Sequence, residues 1–252
     1  MAMKIWITGG SSGLGYALVQ AYLRAGCHVF ATARDEIKLS VLEKECHDLP
    51  GRLETASVDV CDQAAIRCFY ADLLARDIVL NRVILNAGTH IPTSAINFSR
   101  AAHEKVMAVN YGGVLNCLDV VLADFTRRCS GQVAIVSSVA GYRGLPGAGG
   151  YGATKAALIN LCESMREELD GEGVDLRLIN PGFVATPLTE KNDFPMPFLI
   201  SAEKAASYIV RGLDRSVFEI AFPRRFVWLM KLLRFLPDGV FFSISRRMLR
   251  NR

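Results

Sequence analysis

The sequence predicts an α/β fold in which a doubly wound parallel sheet carries helices on both faces, and two observations lead to this prediction. First, short runs rich in Val, Ile and Leu alternate with longer amphipathic stretches along most of the 252 residues, as strands buried on both faces alternate with the helices that cover them. Second, the first apolar run ends in a glycine-rich turn that opens the first helical stretch. Repeated βα units of this kind form parallel sheets with right-handed crossovers, and a chain of this length can bury a sizeable core.

The predicted elements follow one another in a regular order. Seven strands span residues 3–8, 27–32, 52–58, 81–86, 132–137, 174–179 and 217–221. Helical periodicity marks the segments 13–25, 36–46, 62–76, 99–127, 150–171 and 202–214.

Two segments depart from this alternation. Residues 223–252 are both apolar and basic, and Pro237-Asp-Gly239 is predicted to divide them into two short helices. Residues 187–200 form a proline-containing loop that carries several apolar side chains, namely Leu188, Phe194, Met196, Phe198 and Leu199.

Cysteine usage and the apolar runs indicate the cellular compartment. The seven cysteines are an odd number and form no Cys-x-x-Cys pair with metal-ligand spacing, so we expect reduced, small, buried residues in a cytoplasmic protein without a metal site. A strand is predicted from residue 3, so no signal peptide is expected. No apolar run reaches the ~18 residues of a membrane-spanning helix. The cysteines are Cys27, Cys46, Cys61, Cys68, Cys117, Cys129 and Cys162.

The net charge of +4 is unevenly distributed along the chain. Residues 223–252 carry eight basic side chains and one acidic side chain, a net charge of +7, which leaves −3 for the remainder. The positive excess therefore belongs to the C-terminal segment, and it gives no reason to expect that the body of the protein binds nucleic acid.

The glycine-rich turn after the first strand has the composition of a phosphate-binding loop. Gly9, Gly13 and Gly15 let the main chain turn tightly and approach a pyrophosphate, and the helix that follows offers free N–H groups and the positive end of its dipole. The spacing is G-x-x-x-G-x-G. A tight strand-to-helix turn without a ligand would also use small residues, so the glycines alone leave that alternative open.

The end of the second strand bears on the choice of dinucleotide. An NAD-preferring site usually places a carboxylate there to bind the ribose hydroxyls, whereas in this chain Arg34 follows the strand directly. Arginine binds phosphate through charge-assisted, often bidentate hydrogen bonds, which favours the 2′-phosphate of NADP(H). The alternative is that Arg34 is a solvated charge and that Asp35 meets the ribose.

A tyrosine and a lysine four residues apart are the strongest catalytic candidates. Tyr151 and Lys155 share one face of a predicted helix, and a nearby ammonium is expected to lower the pKa of a phenol from its usual ~10. The pair follows the fifth strand, which ends at Ser137-Ser138. That is the sheet edge where open α/β sheets bind ligands, and a serine hydroxyl there can stabilise charge that develops on a carbonyl oxygen.

Taken in order, these motifs resemble those of the short-chain dehydrogenase/reductase family, in its single-domain type, over about residues 3–222. The matching segments are Thr8-Gly9…Gly13-Leu-Gly15, Asp59-Val60, Asn86-Ala87-Gly88, Asn110, Ser138, Tyr151…Lys155 and Asn180-Pro-Gly-Phe-Val-Ala-Thr186. The resemblance implies a Rossmann-like fold with residues 1–222 as a dinucleotide-binding catalytic domain. Residues 223–252 extend beyond the usual family length, and we expect them to form a helical extension packed on the same domain.

The resemblance implies four catalytic residues. Tyr151 would be the general acid–base, and Lys155 would lower its pKa and bind the nicotinamide ribose. Ser138, which stands thirteen residues before Tyr151, would polarise the carbonyl group. Asn110 would hold a water molecule that links Lys155 to solvent in a proton relay.

The resemblance also implies a set of cofactor contacts. Asp59 is expected at the adenine, Asn86 to Gly88 beside the adenosine ribose, and Val184 and Thr186 near the carboxamide. Ser12 occupies a position that is basic in some NADP-dependent members, so only one of two possible basic phosphate contacts is present. With Arg34, the full expected set is Gly9, Ser11, Ser12, Gly13, Leu14, Gly15, Arg34, Asp59, Val60, Asn86, Ala87, Gly88, Tyr151, Lys155, Val184 and Thr186.

The sequence therefore predicts an NADP(H)-dependent oxidoreductase that interconverts a small-molecule carbonyl and a secondary alcohol. The apolar side chains of residues 187–200 favour an apolar substrate, although they could equally pack that loop onto the body. One alternative is a dinucleotide-binding regulator without turnover, against which the complete Asn–Ser–Tyr–Lys set weighs. Another is a membrane-surface protein whose C-terminal segment is its main functional part.

Assembly and the C-terminal segment complete the expectations. The long helices predicted at residues 99–127 and 150–171 are expected to pack against a neighbour's equivalents in a homodimer or homotetramer. Residues 223–252 are expected to cover the substrate side of the body or to extend the subunit contact. Their combination of cations with Phe, Trp and Leu also suits peripheral contact with an anionic membrane.

Overall fold

A sheet of seven parallel strands forms the centre of the computed structural model, which describes residues 2–190 and 195–250 and, for residues 248–250, the backbone alone. In chain order the strands are β1 Lys4–Thr8, β2 His28–Ala33, β3 Arg52–Ser57, β4 Arg82–Leu85, β5 Gly131–Val136, β6 Val174–Pro181, β7 Val184–Ala185, β8 Ile200–Ser201 and β9 Glu219–Phe222. The order across the main sheet is β3-β2-β1-β4-β5-β6-β9, and every neighbouring pair is parallel. Because the order reverses between β1 and β4, the crevice at their carboxyl ends is where such sheets bind ligands.

Helices cover both faces of this sheet. They are α1 Gly13–Arg24, α2 Glu36–Cys46, α3 Gln63–Ala75, α4 Arg100–Met107, α5 Gly113–Arg127, α6 Gly149–Gly171, α7 Ala202–Leu213, α8 Arg224–Phe235 and α9 Asp238–Arg250. The predicted doubly wound α/β fold is confirmed.

Two local features differ from the sequence prediction. The helix predicted over residues 99–127 is divided by a π-helical turn at Ala108–Gly112, because the hydrophobic period of a helix does not reveal one inserted residue. The second feature is a separate two-stranded sheet formed by β7 and β8. Strands of two residues are too short to carry a period of their own.

One stretch of the chain is long and apolar enough to cross a membrane, although no single apolar run was expected to reach that length. The stretch is Arg100–Arg127. It comprises α4, the π turn and α5, and α5 buries Val114, Leu118, Val121 and Phe125 in the protein core. A helix buried in a protein core can be as long and as apolar as one that spans a membrane, and the burial of α5 is typical of such a core helix.

Strand β1 shows how the core is divided by the sheet. Trp6 belongs to the apolar cluster on one face, and its neighbours Ile5 and Ile7 belong to the cluster on the other. All three are fully buried. Successive side chains of a strand point to opposite faces, so an apolar run without alternation is the consequence of burial on both sides.

The cysteines are only partly as expected. None of the seven is in a disulfide, but Cys61, Cys68 and Cys129 are exposed, so the expectation of a buried set is wrong for these three. Cys68 lies on the outward face of α3, and Cys129 follows the end of α5. A small residue tolerates such positions as readily as the core.

The C-terminal segment continues the fold with two helices. Pro237 separates α8 from α9, as predicted, and the inner face of α8 joins the larger core cluster through Phe226, Val227, Met230 and Leu233. Arg143, from the loop after the 3₁₀ turn that follows β5, contacts both α8 and α9 near the point where they are joined. Its guanidinium donates to the Arg234 carbonyl oxygen and to Asp238, and it lies 4.4 Å from the centroid of the Phe241 ring. Of the residues singled out in the sequence, Phe194 and Arg252 lie outside the described part of the chain.

Candidate functional site

Two cavities open at the carboxyl edge of the sheet and share a wall. The larger, of about 790 Å³, lies over the ends of β1, β2, β4 and β5. The smaller, of about 400 Å³, lies between the 3₁₀ turn Val139–Gly141, residues 145–148 and α8. Both are lined by Ser138, Tyr151 and Gly182. A molecule in one cavity can therefore meet a molecule in the other beside these residues.

The glycine-rich turn has the close main-chain packing that a phosphate cradle requires. Gly9 has a φ of +67°, and a Cβ atom there would lie 2.9 Å from the Ala87 Cα atom. A Cβ atom on Gly15 would lie 2.1 Å from the Gly9 carbonyl oxygen. A side chain at either position would collide with the neighbouring main chain, so the turn can keep this close packing only with glycine. Among the described side chains none caps the first turn of α1, and Gly13, Leu14 and Gly15 of this turn line the larger cavity. The main-chain N–H groups at the start of the helix therefore remain available to a ligand.

The end of β4 fixes the opposite wall of this cradle. The Thr8 hydroxyl accepts hydrogen bonds from the main-chain N–H groups of Asn86 and Ala87, each at 3.0 Å. The Asn86 side-chain amide donates to the Thr8 carbonyl oxygen at 3.0 Å. These bonds hold the segment Asn86–Gly88, which lines the larger cavity, beside the glycine turn.

Charged residues gather where β2 ends. Arg34, Asp35 and Lys38 all line the larger cavity. The Asp35 carboxylate caps α2 by accepting from the Lys38 N–H at 3.0 Å, and its other oxygen lies 3.3 Å from the Lys38 Nζ atom. The hydrogen bond from the Lys38 N–H is the main reason that the pKa of Asp35 is below its usual range. Lys38 was not predicted, although its place in the first turn after an arginine and an N-cap is visible in the sequence.

Most of the predicted cofactor-contact residues lie together in the wall of the larger cavity. They are Gly9, Ser11, Ser12, Gly13, Leu14, Gly15, Arg34, Val60, Asn86, Ala87, Gly88, Tyr151, Lys155, Val184 and Thr186. Asp59 is not among the lining residues. Its carboxylate accepts from the Cys61 N–H at 2.9 Å and lies 3.8 Å from the Arg34 guanidinium. It is therefore placed to orient Arg34.

The two adjacent serines at the end of β5 have different surroundings. The Ser137 hydroxyl donates to the Lys155 main-chain carbonyl oxygen at 2.8 Å and is fully used in holding α6 against the strand. The Ser138 hydroxyl lines both cavities, where it donates to the Pro181 carbonyl oxygen at 3.3 Å and accepts from the Ala140 N–H at 3.1 Å. Both serines line the larger cavity, but of the two Ser138, which the spacing to Tyr151 predicts as catalytic, also lines the smaller cavity.

Tyr151 and Lys155 lie on one face of α6, but their electrostatics differ from the expectation. Burial raises the pKa of Tyr151 to about 12, and a hydrogen bond with Ser138 opposes this shift only in part. Burial also lowers the pKa of Lys155 to about 8. The Lys155 Nζ atom lies 5.6 Å from the centroid of the Tyr151 ring and donates to the Val136 carbonyl oxygen at 2.8 Å. Loss of hydration therefore dominates the pKa of the phenol in this structure.

Asn110 lies in the π turn and is fully buried. Its Oδ1 atom accepts from the Thr89 N–H at 2.7 Å, and its Nδ2 atom donates to the Thr89 carbonyl oxygen and to the Thr154 hydroxyl at 3.0 and 3.1 Å. Asn110 is not among the residues that line the larger cavity. Its side chain instead ties the segment after Gly88 to α6, and π turns of this kind recur at functional sites.

The smaller cavity is mainly apolar. Its wall includes Leu145, Phe183, Leu188, Phe226 and Met230, so helix α8 of the C-terminal segment supplies part of the pocket. His90 lies at its edge, with its ring centroid 5.2 Å from that of Tyr151 in an edge-to-face arrangement. Sequence reasoning missed His90. It expected residues 223–252 to cover the substrate side of the body, but it did not identify Phe226 and Met230 as the residues that line the cavity. Residues that are this far apart in the sequence leave no local sequence pattern to indicate that they meet beside Tyr151.

Metal binding has no support within residues 2–190 and 195–250, where no group of three or more His, Cys, Asp or Glu side chains could hold an ion. The side chains at the junction of the cavities are instead hydroxyl, phenol and ammonium groups. These groups can form hydrogen bonds with an organic substrate and can transfer protons to it or from it.

Comparison with protein families gives an independent view of the whole chain. The model of the short chain dehydrogenase family matches residues 3–195. The sequence is 34% identical over 242 residues to an uncharacterized oxidoreductase of Myxococcus xanthus, covering 96% of each chain. It is also 30% identical over 185 residues to the 3-oxoacyl-(acyl-carrier-protein) reductase of Thermotoga maritima, covering 73% of this chain and 75% of the other.

Solved structures share the fold. A short chain dehydrogenase/reductase from Burkholderia phymatum in complex with NAD has a TM-score of 0.84 at 20% identity, with 92% of each chain covered. A short chain dehydrogenase from Burkholderia cenocepacia in complex with NADP has a TM-score of 0.80 at 23% identity, with 98% of each chain covered. At identities of 20% and 23%, the likeness shows that the fold is shared and nothing more.

Proposed function

Because this chain belongs to the short chain dehydrogenase family, it is an NAD(P)-dependent oxidoreductase, and we propose that it interconverts an apolar carbonyl compound and its secondary alcohol with NADP(H). The observation that carries the proposal is the junction of the two cavities at Ser138 and Tyr151. One cavity has the glycine cradle of a dinucleotide site, and the other is apolar. The hydroxyl and the phenol lie where their contents would meet.

The cofactor fits the larger cavity by its chemistry. The main-chain N–H groups of the Gly9–Gly15 turn suit the pyrophosphate, and Lys155 is within the same wall to bind a ribose hydroxyl. Val184 and Thr186 line the same cavity and would hold the nicotinamide carboxamide. When bound, the nicotinamide supplies or accepts the hydride. The protein orients it and controls the proton.

Proton transfer is assigned to Tyr151. With a pKa of about 12, the phenol keeps its proton at neutral pH, which is the form needed to donate to a carbonyl oxygen during reduction. Ser138 would donate a hydrogen bond to the same oxygen and stabilise the charge that develops there. Burial brings the pKa of Lys155 close to neutral, at about 8, so its charge responds to changes in its surroundings. Asn110 holds the segment after Gly88 in place through its hydrogen bonds to Thr89. A role for Asn110 in a proton relay belongs to this proposal.

Preference for NADP(H) rests on the charges at the end of β2. Arg34 and Lys38 present two cations to the larger cavity, and a 2′-phosphate is the anion that would attract both. Asp35 lines the cavity too, but its two oxygens are engaged by the N–H and the ammonium of Lys38. This use of the carboxylate favours phosphate binding over the alternative in which Asp35 meets the ribose.

A cytoplasmic homo-oligomer is part of the proposal. Met107 on α4 and Leu115 on α5 are exposed, and a second copy that packs against the same helices would cover them. Light scattering at micromolar concentration should give the mass of a dimer or tetramer across salt concentrations. A monomeric mass throughout would contradict this assembly.

No observation on the residues that line the two cavities favours the alternative of a dinucleotide-binding regulator without turnover.

The test is an activity screen. Purified protein is offered apolar ketones and aldehydes with NADPH or NADH, and cofactor oxidation is followed by absorbance. Turnover should occur with NADPH and should fall roughly 100- to 10,000-fold in Tyr151→Phe, the range expected for general acid catalysis. Tyr111→Phe, a change of the same kind within the π turn, serves as the control. Near-normal turnover in Tyr151→Phe, with chemistry shown to limit the rate, would overturn the mechanism.

A further inference from the structure

Helix α8 is apolar on two opposite faces. Its inner face packs against β9 and the substrate cavity, and a soluble helix would ordinarily present polar residues on the other side. The buried side chains are Phe226, Val227, Met230 and Leu233.

The outer face carries three large apolar side chains in a row. Trp228, Leu232 and Phe235 are 73%, 60% and 81% exposed. Their spacing of four and three residues aligns them along one side of the helix, and we call these three residues the outer stripe. Isolated exposed apolar residues are common, but an aligned row that contains Trp and Phe marks an interaction surface.

Unpaired cations flank the outer stripe. Arg224 and Arg225 begin α8, and Arg234 lies near its end; all three are exposed. Within the described part of the chain none of them forms an ion pair with a carboxylate, whereas Lys231 on the same helix is paired with Glu219. Further exposed arginines on α9, Arg246 and Arg247, add to the positive charge.

We propose that the outer stripe docks on an anionic lipid surface, with Trp228, Leu232 and Phe235 entering the interface and the arginines contacting the lipid headgroups. Interfacial helices have this composition, with aromatic and leucine side chains on one side and cations that reach the anionic headgroups. A second copy of the chain is a poorer partner for this surface. A symmetric contact would bring the same arginines of both copies together.

The two faces of α8 connect the docking surface with the substrate cavity. This step rests on the proposed function. Phe226 and Met230 line the smaller cavity from the inner face, one helix diameter from the outer stripe. A carbonyl compound dissolved in the lipid would therefore have a short path to Tyr151. The substrate class that follows is a lipid-soluble ketone or aldehyde.

Trp228 provides a direct measure of docking. The protein has two tryptophans, and Trp6 is fully buried. Vesicles of phosphatidylcholine with phosphatidylglycerol should sediment the protein and shift its fluorescence to shorter wavelength, and pure phosphatidylcholine should do neither. Trp228→Phe should still sediment but show no shift. Added salt should weaken binding, because it screens the arginines.

Variants of the outer stripe separate insertion from charge attraction alone. Leu232→Ser and Phe235→Ser should each weaken vesicle binding by about tenfold or more, as expected for an apolar side chain that leaves the interface. Ile37→Ser is the matched control, since Ile37 is 78% exposed on α2. It should bind like the unmodified protein. Equal weakening in all three variants would contradict a role for the outer stripe.

Three results would overturn the proposal. The first is no sedimentation with anionic vesicles at low salt. The second is sedimentation of the unmodified protein without a fluorescence shift, which would mean charge attraction only. The third is a fall in oligomer mass in Phe235→Ser without any vesicle binding, which would make the outer stripe a subunit contact.

Activity measurements keep the two proposals distinct. A water-soluble aldehyde should be reduced equally by Phe235→Ser and the unmodified protein, whereas a long-chain ketone held in anionic vesicles should be reduced more slowly by the variant. Reduction of the aldehyde with no difference for the ketone would contradict lipid delivery alone. Failure with every carbonyl compound would contradict the proposed function, while the vesicle-binding result would still stand.

Discussion

Ser137 and Lys155 are joined by a hydrogen bond of 2.8 Å in which the serine hydroxyl donates to the main-chain carbonyl oxygen of the lysine. Ser137 is buried, and the bond connects the end of β5 with the second turn of α6. It fixes the helix that carries Tyr151 at the place where the next residue, Ser138, faces both cavities. Two neighbouring hydroxyl groups therefore have separate tasks, one in support and one in the site.

This division of tasks predicts different effects on turnover for two alanine variants. Ser138→Ala should lower turnover by about 100-fold or more, as for the loss of one oxyanion donor, and should also lower stability, because its hydroxyl bonds the Pro181 carbonyl oxygen and the Ala140 N–H. Ser137→Ala leaves the Lys155 carbonyl without its donor and should lower the free energy of unfolding by about 1–3 kcal/mol. Urea denaturation and steady-state kinetics on both variants check this. Equal losses of turnover would contradict the assignment of Ser138.

The sequence was sufficient to predict the seven main strands because they are apolar on both faces and separated by helices of clear period. The glycine turn and the Ser–Tyr–Lys set could also be identified, since both are recognised by short, ordered spacings. The π turn around Asn110 could not be predicted, because one additional residue in a helical turn leaves the hydrophobic pattern nearly unchanged.

Contacts over long sequence separation were the other limit. Phe226 and Met230 reach the pocket of Tyr151, but nothing in the sequence tells which side of α8 faces inward when both sides are apolar. Asp59 is expected at the adenine because its position in the chain matches the family motif, and that contact stays a prediction. The sequence did not reveal that its carboxylate also lies against Arg34 and the Cys61 N–H. A motif fixes where a residue stands in the fold, but its rotamer depends on neighbours from other strands.

Cofactor preference should depend on both cations at the end of β2. Arg34→Ala and Lys38→Ala should each weaken NADPH binding by about tenfold to a hundredfold, the range of a charged hydrogen bond, and should leave NADH binding nearly unchanged. Lys44→Ala is the control, because Lys44 is exposed on the same helix away from the cavity. Calorimetric titration measures all of these affinities. Equal affinities for the two cofactors in the unmodified protein would contradict the preference itself.

Gly182 should determine the space available to the substrate. A Cβ atom at this position would lie 2.7 Å from the Phe226 Cδ1 atom and 3.1 Å from the Pro223 Cδ atom, so Gly182→Ala must displace the Phe226 ring. We expect kcat/KM for apolar ketones to fall about tenfold, by analogy with the ~1–3 kcal/mol cost of overpacking, with NADPH affinity retained.

Two further variants test this explanation. Gly144→Ala is the control, since no atom lies within 4 Å of its added Cβ, and it should behave as the unmodified enzyme. Phe226→Leu combined with Gly182→Ala should recover part of the lost kcat/KM by making room. If the double variant is no better than Gly182→Ala, crowding against Phe226 is not the cause.

Glu219 should make the attachment of α8 sensitive to acid. Its carboxylate accepts hydrogen bonds from Lys231 on α8, from the Tyr142 hydroxyl and from the Asn180 amide. Burial alone would raise the pKa of Glu219, but these three hydrogen bonds outweigh it and hold the pKa below its usual value. A carboxyl group whose pKa is lower in the folded state stabilises the fold above its unfolded pKa of ~4.3, and this stabilisation is lost as the pH falls towards the folded value.

The predicted measurement is the free energy of unfolding in urea between pH about 7 and about 3. Glu219→Gln should be less stable than the unmodified protein at neutral pH, and the difference should shrink as the pH falls below ~4.3, because the unmodified protein then loses the charge that the variant lacks. Glu168→Gln, an exposed change on α6, should keep the unmodified profile. Other carboxyl groups with lowered pKa values, such as Glu54, are common to all three proteins and cancel in the comparison. A difference that stays constant across this range would mean that Glu219 stabilises α8 through shape and not through its charge.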